Sequence, residues 1–321
     1  MRGWKRAPDM NHEAHESLEG HEFQKRFWFF VAFACFVVFV VGISAQTFHG
    51  EVTTVEVYVT VTDNTGRLIT GLTKNDFEIF EDGDSQPVTQ FSDKRTPVSV
   101  GVLLDVSDSM RGQPIVDARG ALDRFTADLL DPGDEGLVAA FNHMPRILAP
   151  WTAPPSRLAG RFNNERPSGG TAIYDALFAT TPLFQRRKHT RAALIVISDG
   201  ADTASDHSLP QARETLRRSD AFVYAVAIDS AGEQRVSTRV NPEALREITG
   251  PSGGYTEVVR SYADIGPATE RIAEELNSQY TLGYAATRPQ DGSWRSIRVR
   301  VKNHDYLARS RRGYFATIPR T

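Results

Sequence analysis

Hydrophobic and polar positions change their period twice along this 321-residue chain. Val55, Val57, Val59 and Val61 alternate with Glu56, Tyr58, Thr60 and Thr62, the period-two pattern of a half-buried strand. Asp63-Asn64-Thr65-Gly66 reads as a turn, residues 77–80 as a second strand, Glu81-Asp82-Gly83 as another turn and residues 87–91 as a further strand. From about Pro97 strands and helices alternate. Strands are expected at 98–104, 136–141, 192–198, 221–228 and 254–258. The first and third are apolar almost throughout, as expected for strands covered on both faces. Helices are expected at 114–130, 171–184, 209–218, 241–249 and 261–278. In the first of these, Ile115, Ala118, Leu122, Phe125 and Leu129 recur at spacings of three and four and form one apolar stripe. The tail returns to period two, with Ile297, Val299 and Val301 alternating with Arg298, Arg300 and Lys302.

This order predicts an α/β domain over 97–279, with a doubly wound, mostly parallel sheet. The β-rich flanks, 50–95 and 280–317, are each too small to fold alone, so they are expected to pair as a small β-sandwich with the α/β domain inserted between them. The alternative is that each flank extends an edge of the central sheet.

One stretch stands apart from both periods. Residues 27–43 are almost wholly apolar, follow Lys25-Arg26 and end at Ser44-Ala45. A basic flank, an apolar core and small residues at the exit read as a signal peptide or an uncleaved N-terminal membrane anchor over 27–45. Residues 1–26 mix acids and bases and read as disordered. The implied location is secreted, periplasmic or anchored in the membrane. Cys35, the single cysteine, lies inside this stretch, so the expected fold has no disulfides. A net charge of −3 argues against nucleic-acid binding as the main role.

Three polar segments carry the candidate chemistry. Asp105, Ser107 and Ser109 stand at alternate positions where the first α/β strand ends, Gly169-Gly170-Thr171 opens a predicted helix, and Ser198-Asp199-Gly200 ends the third strand. Ligands of open parallel sheets bind at the carboxyl ends of strands, where strand order reverses. Three hydroxyls and two carboxylates there make a small, hard oxygen site suited to Mg²⁺ or Mn²⁺. Each segment alone has a plainer reading: a helix-capping cluster, a flexible turn and an ordinary Asp-Gly turn. Their order and placement together favour the metal.

With these residues in view, the chain resembles a von Willebrand factor type A domain over roughly 97–280, and the three segments resemble its metal-ion-dependent adhesion site. Asp105, Ser107 and Ser109 match the first motif, Thr171 the second and Asp199 the third. The flanks, Gly71-Leu-Thr-Lys-Asn-Asp-Phe-Glu-Ile-Phe-Glu-Asp-Gly83 and Gln279-Tyr-Thr-Leu-Gly-Tyr284, are similar to a bacterial group labelled VWFA-related. The resemblance implies cation-dependent binding of a protein ligand whose Glu or Asp completes the metal shell. Integrin β-subunit versions place two acids shortly after the second serine; here Gly112 and Gln113 stand there, so no adjacent regulatory ion site is expected. Asp108 and Asp202 are expected to face solvent or to support the site from outside.

Enzymatic rivals fit poorly. A haloacid-dehalogenase-like phosphatase needs a second acid two residues after its nucleophile, where this chain has Ser107. No Gly-x-Ser-x-Gly elbow marks a serine hydrolase, and His143, His189 and His207 lie in no triad context. The expected function is non-enzymatic, an adhesion-type protein-binding module outside the cytoplasm. The alternative is a membrane-associated assembly or scaffold subunit whose ion is structural and whose β flanks make the contacts. A basic row at the C-terminus (Arg295, Arg298, Arg300, Lys302, Arg309, Arg311, Arg312) reads first as the solvated face of a strand, and second as a surface for anionic lipid or cell-wall polymer.

Overall fold

A computed structural model describes residues 53–229 and 240–317. The expectations for 1–26 and 27–45 lie outside the described residues, and among the described ones no helix is long and apolar enough to cross a membrane. The unit Val52–Thr321 carries everything that follows.

Its centre is a six-stranded sheet built from β5 (Ser99–Asp105), β6 (Glu135–Phe141), β7 (Pro145–Thr152), β8 (Ala192–Ser198), β9 (Phe222–Ile228) and β10 (Thr256–Val259), in the order β10-β9-β8-β5-β6-β7. All neighbours run parallel except β6 and β7. Every residue of β5, β6, β8 and β9 is buried, because helices cover both faces. On one face α1 (Gln113–Arg124) and α5 (Ile265–Asn277) pack through Ile115, Leu122, Ile272 and Leu276. On the other, α2 (Ile173–Thr180), α3 (Leu209–Arg217) and α4 (Pro242–Thr249) pack through Leu177, Leu216 and Leu245. The chain leaves β5 for β6 on one side and returns to β8 on the other. Strand order therefore reverses at β5 and β8, where the parallel sheet opens a crevice.

The flanks do pair, as a sandwich of two four-stranded sheets. β1 (Thr54–Asp63), β4 (Gln90–Ser92), β11 (Tyr280–Ala285) and β13 (Tyr306–Arg309) form one; β2 (Phe77–Glu81), β3 (Asp84–Gln86), β12 (Trp294–Val301) and β14 (Gly313–Phe315) form the other. Val55, Val57, Val59 and Val61 meet Ile79, Ile297, Val299 and Val301 in a single core between them. The expected turn at Asp82-Gly83 is a two-residue hairpin turn with both φ angles positive, 48° and 93°, joining Glu81 to Asp84.

Several expectations are corrected. The strand expected at 87–91 is only the short β4 at Gln90–Ser92, and β3, on the opposite sheet, precedes it. The helix expected at 114–130 is regular only to Arg124 and widens into a π turn over Phe125–Leu129. The helix expected from Thr171 begins at Ile173, with Ala172 at its cap, so Thr171 stands in the loop before it. Strand β7 has no counterpart among the expected elements. Thr60 and Thr62, on the polar side of β1, are buried rather than solvated, because the α/β domain covers that side. Thr60 Oγ1 there donates to Glu275 of α5 at 3.0 Å, and Tyr224 of β9 donates to the same oxygen at 2.9 Å.

Candidate metal centre

The crevice brings the five sequence-remote oxygen donors into one place. Beyond β5 the chain makes a tight 3₁₀ turn, Asp108–Met110, and this turn brings the hydroxyls of Ser107 and Ser109 to 3.1 Å. Ser109 Oγ donates to Asp199 Oδ1 at 2.7 Å. Asp105 accepts from the Ser107 amide at 2.8 Å and from Ser198 Oγ, on the neighbouring strand, at 2.5 Å. Asp105 and Asp199 are fully buried and Ser107 and Thr171 nearly so, while Ser109 remains partly open.

Backbone hydrogen bonds fix the loops to one another. Ser168 N donates to Val106 O and Asp108 N to Gly169 O, both at 2.9 Å, joining the first loop to the second. The second is tied to the third by the amides of Thr203 and Ala204, which donate to Thr171 O at 2.8 and 3.0 Å. Two glycines permit this closeness. A Cβ on Gly200 would lie 2.9 Å from Thr171 Oγ1, and one on Gly169, at φ +77°, would lie 2.6 Å from His143 Nδ1. Asp199-Gly200 is thus more than a turn signal, since it lets the threonine hydroxyl lie beside the third loop.

The electrostatics fit a cation. Burial, reinforced by the nearby Asp199 charge, pushes the Asp105 carboxyl up to about 7 against hydrogen bonds from Ser198 and Ser107 that pull it down. Two like charges buried together without a basic partner on Asp105 are costly, and a divalent ion among them removes that cost. The donor set is all oxygen and mostly neutral, which suits a hard ion. Among the described residues no group of three or more His, Cys, Asp or Glu is placed to hold a metal. The candidate centre has instead two carboxylates and three hydroxyls.

The neighbours have separate tasks. Asp108 is exposed and pairs with Arg111 at 2.7 Å. Asp202 Oδ2 accepts from the Tyr174 amide at 3.0 Å and from Ser205 Oγ at 2.6 Å, so it ties the third loop to the first turn of α2. Asp175 fastens the same loop farther along by accepting from the backbone amides of Asp206 and His207 at 3.0 and 2.9 Å. His207 Nδ1 lies 2.7 Å from Asp175 Oδ1 and its ring stacks on Phe178, a structural place far from any triad.

Two contacts were not expected from sequence. Tyr262 OH donates to Asp199 Oδ2 at 2.8 Å from the 3₁₀ turn before α5. The Ser198 hydroxyl, read only as part of a turn, holds Asp105. Tyr262 lies 63 residues beyond Asp199 in a run with no motif character, so no local signal marks it. Ser198 carries a weak one, a hydroxyl closing an apolar strand.

Residues 100–201 match the family model described as von Willebrand factor type A domain. Among solved structures, a von Willebrand factor type A protein from Catenulispora acidiphila aligns with a TM-score of 0.50 and 14% identity, over 79% of this chain and 71% of that one. Proximal thread matrix protein 1 from the mussel byssus also gives 0.50 and 14%, over 62% of this chain and 51% of the mussel chain, so this chain spans about half of that protein. The conserved hypothetical protein BatB from Bacteroides thetaiotaomicron gives 0.46 and 21%, over 56% and 97%. No curated protein matches the chain. At these identities the structural likenesses speak for the fold alone.

Proposed function

We propose, from the match of residues 100–201 to the von Willebrand factor type A model, that the chain is a cation-dependent protein-binding module and not an enzyme. Ser107, Ser109 and Thr171 would hold one Mg²⁺ or Mn²⁺ through their hydroxyls, with Asp105 and Asp199 supplying charge directly or through water. So few charges around the ion leave it able to take a further carboxylate, and an Asp or Glu of a partner protein supplies it. The apolar stretch at 27–45 is the reason for placing this binding outside the cytoplasm, on an exported or membrane-anchored protein.

One observation carries the reading. The Ser107–Ser109–Asp199 chain of contacts at 3.1 and 2.7 Å joins the first and third loops at the strand-order reversal, where the partly open Ser109 gives a partner access. Capture of a partner from the native organism's extract, in Mg²⁺ and again in EDTA, with the wild-type chain and with Asp105→Ala, tests it. The expected result is capture in Mg²⁺ only, lost in Asp105→Ala. Capture that survives EDTA and the substitution would contradict it and favour a scaffold whose β flanks make the contacts.

A further inference from the structure

Three hollows meet at Asp220, between the α/β domain and the sandwich. One of about 320 Å³ is lined by Thr53, Thr54, Arg187, Thr190 and Arg311 among others. A second, of about 260 Å³, takes in Arg213, Arg217, Trp294 and Arg312, and a third, of about 850 Å³, takes in Arg187, Lys188, His189, Arg217 and Arg218. Asp220 lines all three, so they form one cleft. Thr190 lies two residues before β8 and Asp220 two before β9, at the amino ends of the strands. The candidate metal centre is at their carboxyl ends, about 23 Å away along a seven-residue strand.

The walls are cationic and the cations are held ready. Glu56 and Asp220 are the lining acids, Arg311 already pairs with Asp220 at 2.5 Å, and buried Glu135 accepts from the Lys188 amide. Arg217 and Arg218 share the single carboxylate of Glu214, each at 3.2 Å. Their guanidinium groups lie over aromatic rings, Arg217 3.8 Å from the Trp294 centroid and Arg218 5.0 Å from that of Phe315. Stacking fixes the plane of a guanidinium and leaves its edge donors for an oxyanion. Arg187 donates only to backbone oxygens, of Phe184, His189 and Thr190. Lys188 and Arg312 pair with no carboxylate among the described residues. Behind the cleft Arg191 is 3% exposed, with Nη2 unpartnered, and burial pushes it down to about 10. Forked donors of this kind match phosphate oxygens two at a time.

The chain itself indicates the occupant. Thr53, on the cleft wall, follows the apolar stretch ending at Ile43 by nine intervening residues. Even fully extended, they reach no farther than about 35 Å. A bilayer holding that stretch therefore stays within that reach of Thr53. We propose that the cleft docks on an anionic phospholipid surface, seating a lipid phosphate among Arg187, Lys188 and Arg217. This docking is independent of whether the metal centre binds a partner.

Hydrogen exchange of the full chain tests it, in nanodiscs of phosphatidylcholine alone and of phosphatidylcholine with phosphatidylglycerol. Segments 185–190 and 217–220 should exchange about tenfold more slowly in the anionic discs, and high salt should remove the difference. Lys188→Gln with Arg312→Gln should abolish the protection, and Lys188→Arg should retain it; both altered side chains are exposed, and an unchanged melting curve confirms folding. Equal exchange in the two lipids would overturn the proposal. So would equal protection in phosphatidylcholine discs given only inorganic phosphate or a poly-glutamate peptide, which would assign the cleft to a soluble anion.

Discussion

The two ends of the central sheet both bury charge, and they balance it in different ways. At the carboxyl end, Asp105 and Asp199 are fully buried and are met by small hydroxyls on short loops. At the amino end, Arg191 is nearly as deeply buried and so are the acids Asp134 and Glu135, while Arg187 leans on backbone oxygens and Arg217 on an aromatic face. Neutral donors soften the carboxylates without cancelling them, so that end calls for a compact cation. Stacked guanidiniums keep their donors, so the other end calls for a spread-out oxyanion. The two proposals thus give one mostly parallel sheet two sites with opposite requirements, with local side-chain length setting which ligand each takes.

The comparison breaks most completely if the carboxylates are removed. Asp105→Ala should weaken divalent-ion binding at least about 100-fold by calorimetry, since it removes charge and donor at once. The joint between the α/β domain and the sandwich comes next. Glu275 links Thr60, Tyr224 and Arg309, so Glu275→Ala leaves a buried hydroxyl pair and a cation unmatched. Urea unfolding should show a loss of about 2–3 kcal/mol, with ion affinity unchanged.

A subtler test changes space without changing charge. In Gly200→Ala the new Cβ would crowd Thr171 Oγ1, and ion affinity should fall about tenfold while the melting temperature holds. Acidity sharpens the contrast further. Asp105 sits at about 7 when folded, against 3.8 ordinarily, so in the ion-free protein the folded state keeps a proton that the unfolded chain releases. Stability in EDTA should therefore fall as pH rises between about 4 and 7 and level off above, while ion affinity, which needs the carboxylate, should rise over the same window. Denaturant midpoints and ion titrations at pH 5 and pH 8 check both signs. The smallest effect is expected from Tyr262→Phe, which removes one hydrogen bond to Asp199 and should weaken ion binding about threefold to fivefold.

Apolar continuity made β5 and β8 legible in the sequence, and alternation did the same for the valine face of β1, because burial on two faces or on one leaves a direct record in residue type. Strand β7 left none. It is an antiparallel edge with mixed exposure, and Pro145 and Pro150 interrupt any pattern. The motif residues were legible as a set of oxygen donors at strand ends. Ser198 and Tyr262 were not, since their contribution is a hydrogen bond set by tertiary geometry. The basic C-terminal row divides. Arg298, Arg300 and Lys302 are exposed along one face of β12 and just beyond it, as the period-two spacing suggested, yet Arg309 turns inward to Glu275 and Arg311 pairs with Asp220. Linear spacing cannot report which partners a fold brings to each side chain.

The central claim is that five oxygen donors from three loops form one cation site. Calorimetric titration of Mg²⁺ and Mn²⁺ into the full chain, beside Asp105→Ala and Asp199→Ala, tests it most directly. The account predicts one ion per chain, with binding lost in either variant. Absence of binding in the wild-type chain, or binding unchanged in both variants, would contradict it.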